Sequence, residues 1–250
     1  MSAAPTIVWF REDFRLSDHA ALAAAAKRDA PLICLYVFDD ESTRALGGAS
    51  RWWLAQSLRA LDGQLRKIGQ RLVLRRGSAK HVVPAFATEC EASHVYWNRR
   101  YERSGIAADD TVIEALKRVG ISGGTFAGNL LVEPHAIATK DGNPMRVFTP
   151  FWRKLRAIGD PRRPVAAPKK LPPLVSIKSD ALEDWKLEPT SPDWAGGLRE
   201  TWNPGAASAH DRLQDFLGGI SGYADRRDFP ASPTTSRLSP HLRFGEISPV

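Results

Sequence analysis

The chain has 250 residues, 43% hydrophobic and 25% charged, the proportions of a folded globular protein rather than of a disordered chain or a set of membrane spans. Thirty-five basic residues against 28 acidic ones leave a net charge of +7, which favours an anionic partner such as nucleic acid or a phosphate-bearing cofactor. Cys34 and Cys90 lack Cys-x-x-Cys spacing and the six histidines form no His-x-x-x-His pair, so the sequence predicts a reducing, cytoplasmic setting and no metal site. The start runs straight into "TIVWF" without the pattern of a secretion signal, and no apolar stretch approaches the roughly 20 residues of a spanning helix.

From residue 6, short apolar runs alternate with longer amphipathic ones. "TIVWF" (6–10), "PLICLYVF" (31–38), "RLVLR" (71–75) and "HVYWN" (94–98) read as strands buried on both faces. Residues 18–28, 50–69, 79–92 and 108–120 between them read as helices, with Ser17 and Ser50 as N-caps and Gly69 and Gly120 as stops. Four strand–helix alternations predict a parallel α/β sheet, Rossmann-like, with helices on both faces and a fifth strand in 121–132. A further helix is predicted over 147–159, followed by a proline-broken connector from 160 to 192. Residues 208–217 then read as a helix, 218–234 as a loop, and Pro240 as the opening of a last helix capped by Ser239. The predicted organisation is an α/β domain over 1–132, a linking region over 133–204, and the beginning of a helical domain over 205–250.

In an open parallel sheet, ligands bind beyond the carboxyl ends of the strands. The loops there, "REDFRLSD" (11–18), "DDESTRALGGASR" (39–51) and "NRRYERSG" (98–105), are rich in arginine and acids. None contains Gly-x-Gly-x-x-Gly or a P-loop, and taken singly each reads as a solvated loop with surface ion pairs. Near the end of the chain, "TSRLSP" (235–240) combines hydroxyls, a fixed cation and a helix start. Capping accounts for Ser239 and Pro240; Thr235, Ser236 and Arg237 have the chemistry of a phosphate site, although the run by itself reads first as structural capping.

Three stretches, "TIVWFREDFRLSDHAAL" (6–22), "VFTPFWRKL" (147–155) and "YADRRDFPASPTTSRLSPHLRFGEIS" (223–248), resemble the photolyase/cryptochrome family, most closely its bacterial cyclobutane pyrimidine dimer photolyases. The resemblance implies light-driven, FAD-dependent repair of UV-damaged DNA, with a cryptochrome-type photoreceptor as the alternative. It implies FAD contacts from Tyr223, Thr235, Ser236, Arg237, Leu238 and Ser239, and DNA-phosphate contacts from Arg226 and Arg227. It further implies that the helical half of such proteins continues beyond Val250, so that residues 1–250 alone are expected neither to hold FAD tightly nor to repair DNA. The tryptophans present, including Trp52, Trp53, Trp152 and Trp185, are assigned mostly to packing. Members of the family commonly carry an antenna chromophore in the α/β domain, for which Phe10, Arg11, Asp39, Arg51, Asn98, Tyr101 and Glu102 are the candidates, Arg51 first among them. Arg103, Ser104 and Gly105 follow Tyr101-Glu102 where folate-binding members have Asn-Glu, which argues against folate and leaves a deazaflavin, a second flavin or an empty cleft. A monomer without membrane association is expected.

Overall fold

The computed structural model describes residues 3–40 and 45–250. Five strands, β1 (Thr6–Phe10), β2 (Leu32–Phe38), β3 (Leu72–Arg76), β4 (His94–Asn98) and β5 (Ser122–Phe126), form one parallel sheet in the order β3-β2-β1-β4-β5. The winding therefore reverses at β1, the site of the ligand crevice in doubly wound sheets. Four helices connect the strands: α1 (Ala20–Ala26), α2 (Gly48–Lys67), α3 (Ala79–Glu89) and α4 (Arg103–Arg118).

Successive strand residues point to opposite faces, and each face has its own core. On one side Val8, Phe10, Cys34, Tyr36 and Leu74 pack with α1 and α2. On the other, Ile7, Trp9, Leu35 and Val73 pack with Phe86 of α3 and with Val112 and Leu116 of α4. Burial on both faces is why these strands read as unbroken apolar runs rather than as alternation.

Several local expectations are corrected. His19, not Ser17, caps α1, its Nδ1 accepting the Leu22 amide at 3.1 Å. Ser50 lies inside the first turn of α2, which starts from Gly47. Helix α4 begins five residues early, at Arg103, and absorbs the end of the third arginine-rich loop. Gly69 and Gly120 do stop their helices, both with positive φ.

Helix α5 (Phe148–Ala157) has no buried residue, and Phe148 and Trp152 stack on each other in the open. The proline-rich segment is no free linker. Residues 160–170 are largely exposed, but Leu171, Trp185 and Leu187 are buried in the core of the α2 face. The stretch between them lies along edge strand β3. There the Ser179 hydroxyl accepts the Leu74 amide, the Asp180 amide bonds the Leu74 carbonyl, and Arg71 and Arg75 bond the carbonyls of Ile177 and Lys178. The connector thereby covers an edge that would otherwise present unpaired backbone groups.

An unanticipated short helix, α6 (Gly196–Thr201), precedes α7 (Ala206–Gly218). A single turn, α8 (Tyr223–Arg226), sits in the predicted loop, and the last helix, α9, is only Ser239–Arg243. Ser239 is not its cap: Leu238 occupies that position and no side-chain bond closes the end. Nor is α9 the start of a long helix with a bare apolar face. Phe244 packs against Phe14 and Trp53, and Ile247 is buried. Gly245, at φ +61, makes the close approach possible; a Cβ there would stand 2.0 Å from the Glu12 carbonyl oxygen.

Candidate functional site

The first arginine-rich loop is the most buried polar part of the molecule, contrary to its reading as solvated. Asp13 accepts the Arg11 amide (2.8 Å) and the Asn98 side-chain amide (2.9 Å), and lies 3.1 Å from His19 Nε2. Because His19 Nδ1 is an acceptor, the ring proton sits on Nε2, facing Asp13. Burial alone would raise the Asp13 pKa, but His19, the Arg11 amide and Arg15 outweigh it and hold the carboxyl at about 2. Arg11 pairs with both carboxylate oxygens of Asp109 and bonds the Asn98 carbonyl. Arg15 donates to the carbonyls of Gly245, Asp18 and Gly128, joining three distant segments. Asp18 receives Arg162, the Val165 amide and the Ser248 hydroxyl. Those bonds overcome the burial that would raise its pKa and hold it at about 2.

Above this knot, at the carboxyl ends of β1 and β2, lies a cleft of about 270 Å³. Trp9, Tyr36 and Phe38 give it aromatic walls, and Arg11, Arg100 and Arg243 line it together with Glu12, Asp39 and Asp40, Arg243 pairing with Glu12 at 2.6 Å. Asp39 also accepts the Ala79 amide at the start of α3, and the Arg76 hydrogen bond draws the Asp40 pKa below the usual carboxylate range. Of the antenna candidates, Arg11 and Asp39 line this cleft. Phe10 is fully buried behind it against His19, and Asn98 is turned inward to Asp13 and the Ala21 amide. Tyr101 and Glu102 line a neighbouring depression with Arg99 and Leu242, where the Tyr101 hydroxyl donates to Glu133. Arg51, half-buried in the first turn of α2, lines neither.

A second cleft, of about 400 Å³, is built entirely from the C-terminal region. One face of α7 supplies Arg212, Asp215 and Phe216, and Gly219 follows at its C-terminal cap; Arg226 comes from α8, and the run Ser232–Arg237 completes the lining. Thr235, Ser236 and Arg237 thus share a concave site. Tyr223 stands against Phe216, edge to face at 5.4 Å, with Arg227 over its ring. Leu238 is buried and anchors the run, while Ser236 Oγ is placed to accept the Leu238 amide at 3.4 Å. Arg226 lines the cleft itself, whereas Arg227 faces Asp228 at 3.7 Å.

Arg237 adopts a left-handed backbone, φ +52, rare for a side-chain-bearing residue. Its guanidinium lies 4.7 Å from the Trp202 ring centre, and that of Arg212 lies 5.2 Å from it. Trp202 packs on Trp53, whose Nε1 donates to Glu246 (3.2 Å); Glu246 also receives the Ser57 hydroxyl (2.6 Å) and pairs with His241 (2.5 Å). Glu246 is fully buried. Among the described residues no carboxylate reaches ion-pair distance of Arg212, Arg226 or Arg237. Three guanidiniums without a carboxylate partner among the described residues stand beside the hydroxyls of Ser232, Thr235 and Ser236, with Asp215 as the one acid in the lining, while the Thr234 hydroxyl already donates to the Arg226 carbonyl; such a donor set has the chemistry to hold a diphosphate. Five-residue α9 adds little dipole, so side chains and loop amides carry this character.

The sequence reading missed Arg212, Trp202 and Glu246. A signal for the first was available: positions 212, 215, 216 and 219 share one helical face. Nothing in "FGEIS" marks Glu246 for complete burial.

Comparison with known proteins gives the family. A deoxyribodipyrimidine photo-lyase of Agrobacterium fabrum is 47% identical over 252 residues, covering all of this chain and 52% of that protein. The crystal structure of a bacterial class III photolyase from Agrobacterium tumefaciens superposes with a TM-score of 0.94 at 47% identity, over 100% of this chain and 52% of that one. An archaeal photolyase from Sulfolobus tokodaii, solved with two FAD molecules, superposes with a TM-score of 0.77 at 26% identity, over 98% and 53%. The chain therefore spans about half the length of these relatives. With the DNA photolyase family model matching residues 6–172, the chain belongs to the DNA photolyase family.

Proposed function

We propose that this chain serves light-driven, FAD-dependent repair of cyclobutane pyrimidine dimers in DNA. The observation that carries the proposal is the C-terminal cleft, where Thr235, Ser236 and Arg237 of the run singled out in the sequence converge with unpaired Arg212 and Arg226. Family membership and the two FAD molecules of the archaeal relative support the identity of the ligand. FAD, when bound, supplies the photoexcited electron that splits the dimer. Thr235, Ser236 and Arg237 would hold its diphosphate; Tyr223, Leu238 and Ser239 lie outside the lining of this cleft, Tyr223 behind Phe216 and Leu238 buried beneath the run. Arg227, outside the cleft lining, suits contacts to DNA phosphates without reading sequence, whereas Arg226, expected there too, goes with the diphosphate cleft that it lines. The cleft at the ends of β1 and β2, with Arg11 and Asp39 in its lining, is the site we assign to an antenna chromophore, its aromatic walls suiting a planar ring system such as a deazaflavin or flavin.

The test uses the full-length protein. Arg237→Ala is expected to weaken FAD retention about 10- to 100-fold, the value of a charge-assisted phosphate bond, while the sheet domain stays folded by circular dichroism. Light-dependent loss of dimers from irradiated DNA should fall with flavin content. Undiminished flavin in the purified variant would remove the cleft from the FAD site, and an absence of repair by flavin-loaded wild-type protein would overturn the activity.

A further inference from the structure

We propose that Trp202 is the positioning residue of the phosphate cradle, holding Arg237 and Arg212 so that both guanidiniums converge on one anion, with Arg212 as a phosphate ligand in its own right. The inference rests on the reading of this cleft as the FAD diphosphate site and adds two residues to it.

Two guanidiniums lie over the same indole, at 4.7 and 5.2 Å, and both line the same cleft. Two like charges gathered at one ring and one cleft repel, and neither has a carboxylate partner among the described residues. The ring quadrupole is what offsets the repulsion while the cleft is empty, and a dianionic group is what removes it. Arg237 carries a further cost, since its left-handed backbone must be held from outside.

The indole is itself held. Trp202 is half-buried, and its ring meets Trp53 edge to face at 5.5 Å. Trp53 is fixed in turn by its bond to Glu246, whose other oxygen pairs with His241 on α9, four residues after Arg237. The contacts close a ring: Arg237 on Trp202, Trp202 on Trp53, Trp53 to Glu246, Glu246 to His241, and the backbone back to Arg237. A displaced indole would release both cations. Flexible arginines without such a support would lose rotamer entropy on binding, at the expense of affinity.

The experiment titrates full-length apoprotein with FAD and reads the dissociation constant by flavin fluorescence. Trp202→Leu, apolar but without a π face, should weaken binding about three- to thirtyfold, and Trp202→Phe should restore most of the loss. Arg212→Gln should weaken binding several-fold by itself. In an Arg212→Ala/Arg237→Ala background, Trp202→Leu should change affinity less than about twofold, because the indole then has no cation to hold. An equal loss in that background would show that Trp202 acts through packing alone and would overturn the inference, as would unchanged affinity in Trp202→Leu or Arg212→Gln. If Trp202→Leu does not fold, Trp202→Met, also apolar and without a π face, takes its place with the same outcomes. Loss of binding in Arg237→Ala with full binding in Trp202→Leu would sink the positioning role and leave the FAD site standing, whereas full binding in Arg237→Ala would sink both.

Discussion

The sheet domain and the last fifty-odd residues are stabilised in different ways. Residues 6–126 bury two apolar layers, one on each face of the sheet, and every position of β2 and all of β1 but Thr6 contribute to one of them. Residues 195–250 have little core of their own: Ala195, Ala206 and Ala209 are small, and Leu217, Ile220 and Phe229 are exposed. What fixes this region is attachment to the first, through Glu246 on Trp53 and Ser57, Arg15 on Gly245, Asp18 on Ser248, and Phe244 on Phe14. A hydrophobic core tolerates small changes of shape, but a buried polar clasp does not, because losing one member strands the others. The C-terminal cleft therefore sits on a region whose order is borrowed.

The largest expected effect comes from cutting the clasp at its most buried point. Glu246→Ala leaves Trp53 Nε1, the Ser57 hydroxyl and His241 without their shared acceptor, and should cost about 3 kcal/mol or more. Hydrogen exchange should show protection lost over 235–247 and kept in β1, β2 and β4. Equal loss in the sheet would mean that the two regions are one cooperative unit.

Arg15→Met comes next, at about 2–4 kcal/mol, since the carbonyls of Gly245, Asp18 and Gly128 lose a common donor. Urea unfolding should report the loss, and a second, earlier transition would assign it to the C-terminal region.

Acid should act on the same junction. Asp13 is held at about 2 in the folded chain against an ordinary value of 3.8. Its pKa is depressed by folding, so the stability it contributes is present above about pH 4 and is lost as pH falls toward 2. The magnitude is on the order of 2 kcal/mol. Asp18, shifted in the same direction, adds to the same window. Asp13→Asn should flatten the acid limb of stability against pH while lowering stability at neutral pH. An unchanged acid limb would place the protons elsewhere.

The smallest effect is a change in where proteases enter. Cleavage should begin in the exposed stretches near 166–170 and 227–234, and should spare 171–188, which the sheet edge and the α2-face core hold. Early cleavage within 171–188 would show that the connector is not part of the first region.

By itself the sequence determined the α/β sheet, because continuous apolar runs separated by amphipathic ones admit little besides a parallel sheet covered on both faces. It also marked the Thr235–Arg237 run, where hydroxyls and a cation stand together locally, and gave the family through motifs in order. Only the tertiary structure decided which charges are buried. "REDFRLSD" and "FGEIS" look like surface sequence, yet Arg15, Asp13 and Glu246 are enclosed, since each finds its partners 80 or more residues away or across an element boundary. Tertiary structure likewise brought Arg212 and Trp202 to Arg237, separated Tyr101 from Asp39, and laid the proline-rich segment on β3. Periodicity reports which face of an element is apolar. It does not report which distant polar group will meet a charge, and that meeting fixes whether the charge is solvated, buried or free to hold a ligand.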